Sequence, residues 1–278
     1  MAAACSERLE ALAQRVADGV PTEVSHEIVL TGSMSRGAAD DASDIEMLIV
    51  LREPLALEDC FALARGAGLV ELGTWGREEG PARRVSGRRE QVPVELICWP
   101  REFAERQIER LLAGEMPSTA DALVHGVPLR TAGLLAEWQD ELRTYPPGLA
   151  ASQIEHAALP WGGFAPAGVL TLIRPGDRLA LIEWIFDSSI RVLTIVFALN
   201  GVWRPTTKRL GARVAALPRK PDRVAERIEE ALTEPDPRRA LLVMTELQLD
   251  TVLLAASGRN IDRARAWLAA AAEILRRS

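Results

Sequence analysis

The sequence has little of what most readily betrays a functional class. Its three cysteines, Cys5, Cys60 and Cys98, are odd in number and far apart. They offer neither a disulfide framework nor a zinc-ligand pattern, and a reducing, cytoplasmic setting is the expectation that follows. The three histidines, His26, His125 and His156, lack metal-ligand spacing. Aromatic residues make up only 5%. No apolar run reaches the roughly 18 residues of a membrane span, and no internal repeat or low-complexity tract is visible. The opening segment, MAAACSERLEALAQRVADG, carries charge throughout and reads as an amphipathic helix, not a signal peptide. Lysine is scarce as well, present only at Lys208 and Lys220, so arginine supplies nearly all the positive charge.

What is present is an ordinary folded composition: 278 residues, 48% hydrophobic and 26% charged. The length suits two domains of modest size. With 33 Lys and Arg against 39 Asp and Glu, the formal charge is −6. That balance argues against broad phosphate-backbone binding of nucleic acid. It suits a cationic or neutral small ligand.

Hydrophobic periodicity changes character near residue 150. Before it, strands are expected at 24–32, 43–51 and 68–75, with a helix over 56–68 between the second and third. Residues 83–100 read as two strands joined by a turn around Gly87, followed by a helix over 101–114 that stops at Gly114. One further strand (ALVHGVPLR) and helix (TAGLLAEWQDEL) complete an α/β half. The Pro- and Gly-rich stretch TYPPGLAASQ marks a boundary, giving domains over 1–147 and 148–278. Beyond it the pattern is helical throughout, beginning with a long apolar helix over 178–201. The fold class expected is therefore a mixed sheet with helices, followed by an all-α domain.

The segment LTGSMSRGAADDASDIEMLIVL (30–51) carries the chemistry. A strand ends at Gly32-Ser33, a polar turn follows, and a second strand carries Asp44 and Glu46. Residues two apart on a strand share a face, so these two carboxylates project together and repel. A hard divalent cation such as Mg²⁺ resolves that conflict, and two ions can share the pair. Gly32 allows close backbone approach to a phosphate, and Ser33 offers a hydroxyl and backbone N–H donors to an anion. A third carboxylate, from a neighbouring strand, would hold a second ion. Glu95, the one acid in VPVELICW, suits that place, because an unpaired charge among Val, Leu and Ile would be costly. The competing reading is a plain turn with solvated acids, and an edge-strand Glu95 facing water.

The run Gly32-Ser33-Met34-Ser35-Arg36, then Ser43-Asp44-Ile45-Glu46-Met47, then Val94-Glu95-Leu96, resembles the DNA polymerase beta-like nucleotidyltransferase superfamily, and within it the kanamycin nucleotidyltransferase family. The likeness covers roughly the first half of the chain. It implies transfer of a nucleoside monophosphate from a triphosphate, ATP foremost, to an acceptor hydroxyl, with two Mg²⁺ ions. Asp44 and Glu46 would bridge both ions, Glu95 would hold the catalytic one, and Ser33 would bind the β- and γ-phosphates. Arg36 would neutralise phosphate charge. The acceptor implied is a small molecule of the aminoglycoside kind, making this an antibiotic-resistance enzyme, and a homodimer is implied too. Transfer to tRNA or to a protein, and a non-catalytic nucleotide-binding module, are the alternatives.

In the helical half, Glu183 and Asp187 lie four apart on one helix face. Glu183-Trp184-Ile185-Phe186-Asp187 is similar to the family's Glu-x-x-Phe-Glu helix, which implies Asp187, or its rival Glu183, as general base. Otherwise the two acids would pair with Arg178 or Arg191. The stretch Asn200 to Lys208 resembles one found in several small nucleotidyltransferases, which implies a place for Lys208 near the triphosphate. Of the scattered tryptophans most should be core, although Trp161 and Trp184 have the position to stack on a base or sugar. Glu246 and Asp250 share a face that would attract a cationic acceptor or be merely solvated.

Overall fold

The computed structural model describes residues 2–75, 80–162, 165–176 and 178–277. The chain divides into two compact units, Met1–Thr144 and Tyr145–Ser278.

In the first unit, α1 (Ala2–Asp18) leads into β1 (Ser25–Thr31), a short 3-10 turn (Met34–Arg36) and β2 (Ile45–Leu51). Then come α2 (Leu57–Gly66), β3 (Val70–Thr74), β4 (Arg83–Arg89) and β5 (Val92–Pro100). The unit closes with α3 (Arg101–Leu112), α4 (Pro117–Val124), β6 (Val127–Arg130) and α5 (Leu134–Arg143). The strands form one six-stranded sheet in the order β3-β4-β5-β2-β1-β6. Only β2 and β5 run parallel; the other neighbours are antiparallel.

β1 and β2 stand near the middle of the sheet, which explains their nearly continuous apolar runs. One face buries Ile28, Leu30, Ile45, Met47, Ile49, Val94, Leu96 and Cys98 with Leu12 and Val16 of α1 and Cys60 and Leu63 of α2. The other face, carrying Val29, Leu48 and Val50, is covered by α3 and α5. Within this layer Glu27 is fully buried, yet well accommodated. Its carboxylate accepts from Thr131 Oγ1 (2.8 Å) and from the backbone N–H of Ala132 (2.8 Å), Leu134 (3.3 Å) and Leu135 (3.4 Å). The acid thereby satisfies the otherwise orphaned first amides of α5.

Three local expectations are corrected. The hairpin between β4 and β5 does not turn at Gly87 but at Glu90 and Gln91, both with positive φ (51° and 66°), as a two-residue hairpin turn requires. Gly87 lies within β4, where a Cβ would fall 2.9 Å from the Val70 carbonyl oxygen and from Leu72 Cδ2. Second, Ala122 to Val124 are not strand: they end α4, leaving only Val127–Arg130 as β6. Third, the strand expected over 43–51 is shorter: β2 begins at Ile45, so Asp44 stands just ahead of it.

The second unit contains α6 (Pro147–Ala158), 3-10 turns over Leu159–Gly162 and Pro166–Ile173, and α7 (Arg178–Leu199). α8 (Leu210–Ala215), α9 (Val224–Thr233), α10 (Pro237–Leu253) and α11 (Arg259–Arg277) complete it. α7 buries residues on nearly all sides, among them Leu181, Ile185, Val192, Ile195, Val196 and Phe197. α11 is amphipathic, burying Ile261, Ala264, Leu268, Ala271 and Leu275 at helical spacing. Here too a remote acid caps a helix: Glu155 of α6 accepts from the Asn260 N–H at 2.9 Å.

Candidate active site

The polar turn at the end of β1 is built by its own short-range bonds. Gly32 has φ 74°, a left-handed conformation that glycine adopts at little cost. A Cβ there would lie 2.9 Å from Glu46 Cδ and 3.0 Å from Glu46 Oε2. The Glu46 carboxylate therefore rests directly on the Gly32 Cα. Beyond Gly32, the turn is tied to the loop that precedes β2. Ser33 Oγ donates to Ser43 Oγ at 3.2 Å, and Ser43 Oγ donates to Asp40 Oδ1 at 3.0 Å. Asp40 also accepts the Ala42 N–H (3.1 Å), closing the loop just ahead of Asp44.

Sheet register then sets the acids. Asp44 stands immediately before β2 and Glu46 is its second residue. In the parallel pairing of β2 with β5, Glu46 is directly opposite Glu95. Neighbouring strands lie about 4.8 Å apart, so paired residues share a face at close range. The same row continues to Thr31 of β1 on one side and Ser86 of β4 on the other. Thr31 Oγ1 donates to the Glu46 carbonyl at 3.2 Å, holding β1 and β2 together at this end. Asp44, Glu46 and Glu95 are all partly exposed.

Glu46 and Glu95 opposite each other, with Asp44 just ahead of β2, offer hard oxygen donors that fit Mg²⁺ or a similar cation by chemistry. Among the described residues, no three His, Cys, Asp or Glu side chains are drawn together tightly enough to form a ready-made metal centre.

Arg36 is bonded on both arms of its guanidinium. Its Nη1 donates to the Gly32 carbonyl at 2.6 Å, and its Nη2 donates to Asp121 Oδ2 at 2.6 Å. Asp121, on α4, is 2% exposed. The candidate residues of the helical unit have these settings within it. Glu183 is exposed on α7, whereas Asp187 accepts two bonds from Arg191, from Nε at 2.6 Å and Nη2 at 3.0 Å. Lys208 is exposed two residues before α8. Trp161 is core, 2% exposed, and Trp184 packs against the same core. Glu246 pairs with Arg276 (2.8 Å) and Asp250 with Arg227 (2.6 Å).

Thr31, Ser86 and Asp121 carried no signal in the sequence, and Ser43 entered only as part of the motif, with no role of its own. Thr31 and Ser86 were discoverable only through register, and Asp121 only through the packing of α4.

No family profile and no curated protein matches this sequence. Among solved structures, the chain is similar to a nucleotidyltransferase-like protein from Exiguobacterium sibiricum, at 12% identity and a TM-score of 0.42, over 94% of this chain and 88% of that one.

Proposed function

We propose that the protein is a nucleotidyltransferase, moving a nucleoside monophosphate from a nucleoside triphosphate to a hydroxyl of a small-molecule acceptor. One observation carries this reading: Glu46 and Glu95 face each other across parallel strands, with Asp44 at the head of β2 and the Gly32 turn seated against Glu46. Three acids at one sheet end, beside a glycine turn, match the needs of a metal-bound triphosphate.

Divalent cations held by Asp44, Glu46 and Glu95 would screen the phosphate charge and activate the acceptor oxygen. The chain's own part is positioning. Ser33 and the backbone of the turn would hold the β- and γ-phosphates. That would leave the α-phosphorus open to in-line attack by the acceptor oxygen. The bond from the α-phosphorus to the bridging oxygen breaks, pyrophosphate departs with the electron pair, and the hydroxyl proton passes to a base. The resemblance names Asp187, or its rival Glu183, as that base; the Asp187 carboxylate accepts two bonds from Arg191. Lys208 is assigned to the triphosphate by motif resemblance alone. An aminoglycoside-like acceptor agrees with the net charge of −6, and ATP is the first nucleotide to try.

The test is incubation with Mg²⁺, each labelled triphosphate in turn, and a panel of aminoglycosides, lincosamides and bulk tRNA. Labelled small-molecule product with the wild type, absent with Asp44→Asn, is expected. Label on tRNA would reassign the acceptor. Product formation undiminished in Asp44→Asn would reject the site.

A further inference from the structure

The Gly32 turn is not held by its own loop alone. Its carbonyl oxygen accepts from Ser35 Oγ (3.1 Å) and from Arg36 Nη1 (2.6 Å). The same guanidinium reaches, through Nη2, both the carboxylate of Asp121 (2.6 Å) and the Asp121 carbonyl (3.3 Å). Asp121 is anchored in turn. It sits on α4, its side chain is 2% exposed, and His125 Nδ1 lies 2.9 Å from its carbonyl and 3.5 Å from its Oδ1. A chain of contacts therefore runs from α4 through Asp121 and Arg36 to the Gly32 peptide, and from the Gly32 Cα to the Glu46 carboxylate.

Such a largely buried ion pair is weak evidence for stability, because desolvation of both charges offsets much of their attraction. It is well suited to fixing one geometry. The guanidinium is a rigid planar fork whose two arms bond different partners. If the Nη1 arm lets go, the Gly32 carbonyl loses its shortest donor; if the Nη2 arm lets go, the guanidinium that carries that donor loses its anchor on α4. Either way, the turn against which Glu46 rests is less firmly held.

We propose that Asp121 and Arg36 are positioning residues for the acid row, fixing the Gly32 turn so that Glu46 is presented to a divalent cation in a single orientation. This deepens the nucleotidyltransferase reading, on which it rests, and gives Arg36 a task other than direct phosphate neutralisation. Asp121 would act as outer-shell partners of metal ligands do, where mutation typically lowers metal affinity by roughly 10–100-fold.

The experiment uses the full chain and Mn²⁺ as the probe, with binding followed by the electron paramagnetic resonance signal of free Mn²⁺, so that no turnover is needed. Wild type is expected to bind Mn²⁺ and Glu46→Gln to lose it. Asp121→Ala should bind about 10-fold more weakly or worse. Arg36→Lys keeps a cation for Asp121 but cannot fork to the Gly32 carbonyl, so it should weaken binding while melting like wild type. That combination is one a merely structural role would not produce, and it decides the matter should Asp121→Ala fail to fold. If wild type and Glu46→Gln differ while both brace variants bind Mn²⁺ like wild type, the brace is refuted and the site survives. If wild type binds no Mn²⁺, or Glu46→Gln binds it equally well, the site and the brace fall together.

Discussion

Glu27 and Glu46 stand on neighbouring strands, face the same side of one sheet, and lie at its opposite ends, yet their surroundings differ in kind. Glu27 is wholly buried and surrounded by donors, three of them backbone amides leading into α5. Glu46 is partly exposed and lies against the Cα of a glycine, with a second glutamate opposite it. The first carboxylate is neutralised by the protein's own N–H groups. The second stands directly opposite another glutamate at an end of the sheet where both acids are partly exposed. Burial and backbone donors mark Glu27 as a structural acid; Glu46 has neither full burial nor a helix start beside it.

That contrast can be broken in several ways. The largest effect is expected at Glu46. Glu46→Gln should lower nucleotidyl transfer by about 100-fold or more, while the melting temperature changes little, because the side chain is partly exposed and its shape is kept. Glu27→Ala should do the reverse in kind. Leaving several buried donors unsatisfied should cost roughly 3 kcal/mol or more of stability, read from urea unfolding, with the activity of the remaining folded protein retained. Gly32→Ala stands between the two. A side chain in the left-handed region costs about 1–2 kcal/mol, and its Cβ would collide with the Glu46 carboxylate. Transfer should therefore fall more steeply than the melting temperature does.

The smallest effect belongs to the helical unit, which serves as the control. Tyr145 is the only tyrosine in the chain. Its hydroxyl donates to Gln153 Oε1 at 2.6 Å and its ring lies 4.5 Å from that of Trp203. Burial pushes its pKa up to about 12. The neutral phenol is thus favoured by folding: its contribution is intact below the ordinary tyrosine value near 10 and disappears as pH climbs toward 12. Absorbance at the tyrosinate band should stay low at about pH 11 in the native protein and rise on adding denaturant. None of the substitutions in the sheet should change this titration while the protein stays folded.

Part of the candidate site was legible from the sequence: Glu46 and Glu95 each stand out as an acid in an apolar strand, and register sets them opposite each other. Alternation does not extend to Asp44, which lies ahead of the first residue of β2. What escaped notice depends on contacts between remote segments. Glu27 looks like one more polar residue in β1 until residues 131–135 fold back over it. Asp121 looks like a helix-surface acid until α4 docks its side chain onto Arg36. The hairpin misled for a local reason: Gly87 is the conspicuous turn former, but it is needed within β4 for want of space, and Glu90 and Gln91 take the left-handed turn positions themselves. The short α4 was hidden because its last residues, Ala122 to Val124, run on in sequence into the apolar start of β6.

The proposed reaction transfers a nucleotide, not a terminal phosphate, at the end of the sheet bearing Asp44, Glu46 and Glu95. Parallel reactions with the same triphosphate labelled at the α- or the γ-phosphate, run with wild type and Glu46→Gln, distinguish the two. Wild type is expected to move the α-label onto the acceptor and release the γ-label as pyrophosphate, and Glu46→Gln to do neither while folding normally. Transfer of the γ-label to the acceptor, or equal α-label transfer by both proteins, would contradict the proposal.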